Sequence, residues 1–270
     1  MGTEKRERQK ANRAAKLAAE EAAAARKKRI TFIRNVVILI VFIALVLVLF
    51  SGCSSDDGAA ASDAAPVAAD GFGTTPCPPE NGSNEAKTSF EDSFRKCIDP
   101  SKTYTAVITT TLGKVTVELD AEGHPITTNN FVSLARSGYY DGTVLFRTEA
   151  MSGIIQGGSP HTQDNSDPGP GYLIPDEGPL ATAADYGPGT LAMARTPAPN
   201  SAGGQFFFLA GEGARFLGDP SQPGAGTYRV FGRTTVGLDV LQQIAALDSG
   251  DGAGTPTKVV KIESVKITEA

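Results

Sequence analysis

Asn200-Ser201-Ala202-Gly203-Gly204-Gln205-Phe206-Phe207-Phe208 runs a turn of small and polar residues into one amide and three aromatic side chains. In a strand, successive side chains point to opposite faces, so Gln205 and Phe207 share one face while Phe206 and Phe208 share the other. One face must be core. The other offers an apolar wall beside an amide that both donates and accepts hydrogen bonds. On these residues alone, a buried aromatic strand accounts for the pattern; what surrounds it decides whether the second face is a site.

A second feature divides the chain. Val36 to Phe50 is an uninterrupted apolar run, VVILIVFIALVLVLF. A membrane-spanning helix needs about 20 residues, with a usable range of about 17–25. Counted from Ile30 the segment reaches that length, and the run alone suffices for a signal h-region. Arg26, Lys27, Lys28, Arg29 and Arg34 precede it, and Asp56 and Asp57 follow. Positive-inside logic therefore puts the N-terminus in the cytoplasm and everything beyond Ser54 outside. Residues 1–29 are rich in Ala, Glu, Lys and Arg with no apolar face to bury, which reads as a basic cytoplasmic arm. Residues 30–53 are then a transmembrane or signal-anchor segment. The alternative anchor is cleavage before Cys53 with lipid on that cysteine, because Ser51-Gly52-Cys53 resembles the end of a bacterial lipoprotein signal. Either anchor predicts a cell-membrane protein with its C-terminal part extracytoplasmic. The net charge of −5 includes this basic arm, so the remainder is more acidic than the total suggests. That balance argues against nucleic acid as a partner.

Residues 54–76 are Ala, Ser, Asp, Gly and Pro, a composition expected to form a disordered linker. Cys77 and Cys97 flank a polar pre-barrel segment, residues 77–103. In an oxidising compartment they are expected to pair, and a bridge over a loop of that length is worth roughly 3 kcal/mol. His124 and His161 are the only histidines, and neither has metal-ligand spacing with a cysteine. No metal and no cofactor are expected.

From Tyr104 to the C-terminus the pattern is that of a folded domain. Tyr104 to Thr111 is β-rich, Leu112-Gly113-Lys114 can turn, and Val115, Val117 and Leu119 alternate with polar residues, which predicts a hairpin. Thr127 or Thr128 can cap a helix in which Phe131, Leu134 and Ala135 share a face and which Gly138 stops. Short strands with Gly/Pro-rich turns follow. Val240, Ile244 and Leu247 predict a second helix over Asp239–Leu247, and Val259 to Ile267 a closing strand. Many strands with only two helices point to an all-β barrel or sandwich.

Four segments in order resemble the cyclophilin family of peptidyl-prolyl cis–trans isomerases. They are Asn130-Phe131-Val132-Ser133-Leu134 with Gly138-Tyr139-Tyr140-Asp141-Gly142-Thr143; Ile155-Gln156-Gly157-Gly158; Leu191 to Arg195 through Pro199-Asn200-Ser201-Ala202 to Gln205-Phe206-Phe207; and Val230-Phe231-Gly232-Arg233. The resemblance implies a mainly β domain over residues 104–270: an eight-stranded antiparallel closed barrel, a helix over each open end, and a substrate groove on the barrel wall. Matched residue by residue, it implies Arg147 as the catalytic residue. Ile154 and Gln156 match an apolar groove residue and the supporting glutamine. Ala194, Arg195 and Thr196 match the backbone stretch that binds peptide. Gln205 and Phe207 match a groove amide and the floor of the proline pocket. Phe216, Leu217 and Tyr228 match the far wall.

The sequence departs from the family at several of these places. Phe146 stands where His is common, Gly153 where an aromatic groove residue is usual, and Phe216 where many members have Trp. One extra residue lies between Arg147 and Gln156, so counting back from Gln156 selects Thr148, whereas counting forward from Tyr140-Asp141-Gly142-Thr143 selects Arg147. An insertion, Asp219 to Gly226, separates Phe216 from Tyr228. Three functions are compatible with these features. The first is a prolyl isomerase that assists folding of exported, proline-containing polypeptides. The second is a catalytically weak proline-peptide-binding chaperone or scaffold. The third is a tethered organiser of envelope proteins that acts through its loops.

Overall fold

The computed structural model describes residues 70–250 and 252–270. The basic arm, the apolar run, Cys53 and most of the linker lie outside the described residues. Among the described residues no helix is long and apolar enough to cross a membrane.

Eight strands form one sheet: β1 (Tyr104–Thr110), β2 (Gly113–Leu119), β3 (Arg147–Glu149), β4 (Ile154–Gly157), β5 (Thr190–Met193), β6 (Phe206–Leu209), β7 (Val230–Val236) and β8 (Ile262–Glu269). Every ladder is antiparallel, in the spatial order β3-β4-β6-β5-β7-β2-β1-β8. The expected hairpin is present, with Tyr104 opposite Leu119 and Thr110 opposite Gly113. Its inward positions, Tyr104, Ala106, Ile108, Val115, Val117 and Leu119, are all buried. Three register shifts, at Thr109/Thr110, Thr116/Val117 and Leu191/Ala192, are the irregularities by which an antiparallel sheet bends.

The closed barrel is corrected to a half-barrel. β3 and β8 share no ladder. The seam between them is crossed by an isolated bridge between Val144 and Lys261 and by hydrogen bonds from Leu145 N to Val260 O (2.9 Å) and from Ile262 N, at the start of β8, to Thr143 O (2.8 Å).

Among the described residues there are two α-helices, α1 (Pro125–Arg136) and α2 (Leu238–Ala245), together with a 3-10 helix over Glu212–Gly218. Neither Thr127 nor Thr128 caps α1. The helix begins earlier, with Pro125 in its first turn, where proline's missing N–H costs nothing. The first-turn amides of Ile126 and Thr127 instead donate to the Glu177 carboxylate, at 2.9 and 2.5 Å. A negative group from a distant loop thus does the work expected of a local hydroxyl. Phe131, Leu134 and Ala135 of α1 and Leu241, Ile244 and Ala245 of α2 join the same apolar core as the inward strand residues.

The linker ends sooner than its composition suggests. Phe72 is buried, Thr75 bridges Phe94 in parallel, and Gly73 N donates to Phe94 O at 3.0 Å. Residues 70–98 therefore form a strap that adds Phe90, Phe94 and Ile98 to the core. Cys77 and Cys97 are disulfide-bonded with Cα atoms 5.4 Å apart. The Cys97 amide donates to Asn129 Oδ1 on α1 at 2.7 Å, tying the strap to the helix. Replacing both cysteines by serine is expected to lower the unfolding free energy by roughly 3 kcal/mol. Urea denaturation checks this; identical midpoints for the two proteins would mean that the buried phenylalanines alone hold the strap.

Candidate active site

Strand alternation and register build the site. Arg147 pairs with Gln156, Gln156 with Phe207, and Phe207 with Ala192, which makes one row across β3, β4, β6 and β5. The next row on the same face is Glu149, Ile154 and Leu209. The row between them, Thr148, Ile155, Phe208 and Leu191, is fully buried on the core side. This settles the two ways of counting: Thr148 belongs to the core face and Arg147 to the outer face. The aromatic run divides as its period requires. Phe206 and Phe208 lie in the main core, and Phe207 lies in a second apolar cluster.

That second cluster packs on the outer face of the sheet. It contains Ile154, Tyr186, Ala192, Phe207, Leu209 and Ala214, with Ala194, Leu217 and Tyr228 packed against it. The Phe207 and Tyr228 rings meet edge to face at 5.3 Å. Tyr186, whose phenol is pushed up by burial, donates to Tyr228 O at 2.8 Å and so fixes this wall. Phe216 joins neither cluster; its side chain is 49% exposed on the 3-10 helix.

A polar network lies beside the apolar wall. Arg147 Nη1 donates to Gln156 Oε1 at 3.0 Å. Gln156 Nε2 donates to Gln205 Oε1 at 2.8 Å and to Asn165 Oδ1 at 3.0 Å. Gln156, 5% exposed, is thereby saturated. Because the cation occupies its oxygen, its amide must face the other way. Gln205 and Asn165 then receive on oxygen and keep their NH2 groups available as donors. Arg147 Nη2 is ion-paired with Glu149, whose second oxygen accepts from Ser152 Oγ at 2.9 Å. Gln156 and Gln205 thus bond to each other rather than to barrel backbone.

Two glycines allow this geometry. Gly158 has φ +91, and a Cβ there would lie 2.6 Å from Gly204 O, so only glycine lets β4 end against the Gly204-Gln205 turn. Gly153 has φ +74 with Gly211 N 2.7 Å from any Cβ. The aromatic usual at that place cannot stand on this backbone.

The Arg195 side chain is only 6% exposed, pairs with Asp176 at 3.4 Å, and donates to Thr227 O (3.1 Å) and Ala198 O (2.5 Å). The cation braces its own loop and is not offered to a peptide. Ala194 N donates to Gln205 O at 3.0 Å, and Thr196 is exposed at the mouth of the same turn. The Asp219–Gly226 insertion is mostly exposed and is anchored by Gly226 N to Leu217 O at 2.7 Å, behind the far wall.

Several members of the site were not foreseen. Leu209 and Glu149 follow from alternation two residues beyond Phe207 and Arg147. Ala192, Tyr186 and Ala214 depend on strand register and tertiary packing. Asn165 sits in the loop closed by Asp167. Burial would raise the pKa of Asp167, but hydrogen bonds from His161, Gly169 and Thr162 outweigh it and hold the carboxyl below its usual range. Among the described residues no group of three or more His, Cys, Asp or Glu side chains could hold a metal ion. A cavity of about 990 Å³ lies alongside, lined by residues including Leu119, Asp185 and Arg229; it shares Tyr228 with the second cluster but contains neither Arg147 nor Phe207.

This site can bind an apolar ring against Phe207 and set a cation and two amide donors beside it. The family model described as cyclophilin type peptidyl-prolyl cis-trans isomerase matches residues 105–267. The peptidyl-prolyl cis-trans isomerase cyp18 of Streptomyces antibioticus is 38% identical over 169 residues, covering 60% of this chain and 98% of that protein. Peptidyl-prolyl cis-trans isomerase A of Dickeya dadantii is 33% identical over 171 residues, covering 60% of this chain and 83% of that protein. A crystal structure of a Cryptosporidium parvum cyclophilin-type isomerase superposes with a TM-score of 0.50 at 28% identity, covering 62% of this chain and 98% of that one. The same Cryptosporidium protein has also been solved in the presence of the dipeptide Ala-Pro, with a TM-score of 0.50 at 29% identity and 61% and 98% coverage. The chain belongs to the cyclophilin-type peptidyl-prolyl cis–trans isomerase family.

Proposed function

We propose that this protein isomerises X–Pro bonds in exported, unfolded polypeptides outside the cytoplasmic membrane, with Arg147 as its catalytic residue. The observation that carries the reading is the single row Arg147–Gln156–Phe207–Ala192, which sets one permanent cation beside an apolar floor.

The barrier to rotation about a peptide bond is about 18–20 kcal/mol and comes from amide resonance. No covalent step is required to lower it. The protein has only to favour the twisted bond over both planar forms. The proline ring packs on Phe207 with Ile154, Leu217 and Tyr228 around it. As the bond twists, the proline nitrogen regains its lone pair, and the Arg147 guanidinium donates to it. Gln205, held with its NH2 outward, donates to the neighbouring peptide oxygen. Because these donors are fixed by Gln156 before substrate arrives, little reorganisation is needed at the moment of rotation.

The extracytoplasmic location rests on the apolar run after a basic flank and on the Cys77–Cys97 bridge, a bond favoured in oxidising compartments. Fractionation with protease added to intact spheroplasts tests it. The C-terminal domain should be digested from outside while an N-terminal tag survives; protection of the domain would reject the placement. Mass spectrometry of the membrane-bound protein separates the anchors: residues 1–52 are retained if residues 30–53 are a helix, and the chain begins at a lipid-bearing Cys53 if they are not. A second reading, a proline-peptide-binding chaperone or scaffold with little catalysis, is favoured by Gly153 replacing an aromatic. It predicts proline-peptide binding without rate enhancement.

A further inference from the structure

We infer that Glu149 is a positioning residue that holds the Arg147 guanidinium in its productive orientation, an inference that rests on the isomerase reading above. Arg147 and Glu149 are two apart on β3, so both project from the outer face. The carboxylate is held at both ends: one oxygen is ion-paired with Arg147 Nη2, and the other accepts from Ser152 Oγ at 2.9 Å. Ser152 lies in the β3–β4 turn, which carries the extra residue between Arg147 and Gln156. Its Oγ also accepts from Ile154 N at 3.4 Å. The turn thus loops back to seat the carboxylate.

A guanidinium is a planar fork with five N–H donors. Gln156 takes one on Nη1 and Glu149 takes one on Nη2. Two anchors on different nitrogens fix the plane of the fork, which one anchor cannot do, and three donors remain for substrate. Arg147 is 39% exposed, so surrounding packing alone does not restrain it. Glu149 supplies that restraint. A carboxylate so close also tempers the positive charge, and the two effects have opposite signs; fixed geometry dominates where the donor must meet one nitrogen lone pair.

The test is a double-mutant cycle on the full-length protein in detergent, reading both cis–trans exchange of a proline peptide by NMR and the peptide's Kd. Wild type against Arg147→Ala tests the isomerase reading separately. Glu149→Ala should slow exchange about 10-fold with Kd within about twofold. Glu149→Gln, which keeps an acceptor for Arg147 and a partner for Ser152, should recover to within about threefold of wild type. In an Arg147→Ala background, Glu149→Ala should do nothing further, a result that a purely structural role would not produce. The inference is overturned if Glu149→Ala exchanges as fast as wild type or faster, if Gln fails to rescue, or if the two losses multiply.

Discussion

Arg147→Ala is expected to lower kcat/KM for a proline peptide by roughly 10²–10³-fold, the range typical for loss of one preorganised transition-state donor. Peptide affinity should change only a fewfold, because in the proposed mechanism the guanidinium stabilises the twisted bond more than either planar form. The side chain faces outward and buries no core surface, so the folded state should survive the change. Arg147→Lys should not rescue fully: a lysine cannot give one donor to Gln156, one to Glu149 and a third to substrate in a fixed plane. A protease-free NMR exchange assay checks both variants. Similar rates for wild type and Arg147→Ala would leave a groove that only holds proline.

Phe207→Ala should have the second-largest effect, and a different one. Phe207 is 4% exposed, stacked edge-on against Tyr228 and surrounded by Ile154, Ala192 and Leu209. Truncating a buried phenylalanine costs about 3–5 kcal/mol. Binding of proline peptides should weaken at least about 10-fold, because the ring loses the surface it packs on. Phe207→Leu, which refills much of the volume, should restore most of the stability but less of the affinity. Calorimetry and peptide titration separate the two. Unchanged affinity in a folded Phe207→Ala protein would place the proline elsewhere.

The parts of the fold governed by local period were legible in the sequence. The Tyr104–Leu119 hairpin stands where alternation put it, and the Phe206/Phe207/Phe208 division between core and groove follows from strand geometry alone. The parts governed by distant partners were not. The start of α1 depends on Glu177, roughly fifty residues away, accepting amides that a local threonine was expected to cap. The end of the linker depends on Phe72 finding a buried place against the domain, which a composition of Ala, Gly and Asp does not announce. The seam between β3 and β8 is a matter of register at two strand ends.

The site divides in the same way. Arg147, Gln156, Gln205 and Phe207 come together as the motif order implies. Arg195, by contrast, turns into its loop because Asp176 and two carbonyls offer it better partners than solvent does. Whether Thr148 or Arg147 faced the groove turned on one residue in a turn, a question that a pleated strand answers and a spacing cannot. Asn165 and Glu149 became visible only through the hydrogen bonds they make.

A structure of the protein with alanyl-proline bound tests the central claim most directly. The proline ring should lie on Phe207, and a guanidinium nitrogen of Arg147 should stand within hydrogen-bond reach, about 2.7–3.2 Å, of the proline nitrogen while Gln156 still holds the other arm. A dipeptide seated away from Phe207, or an Arg147 turned out of the groove with no other cation in its place, would contradict it.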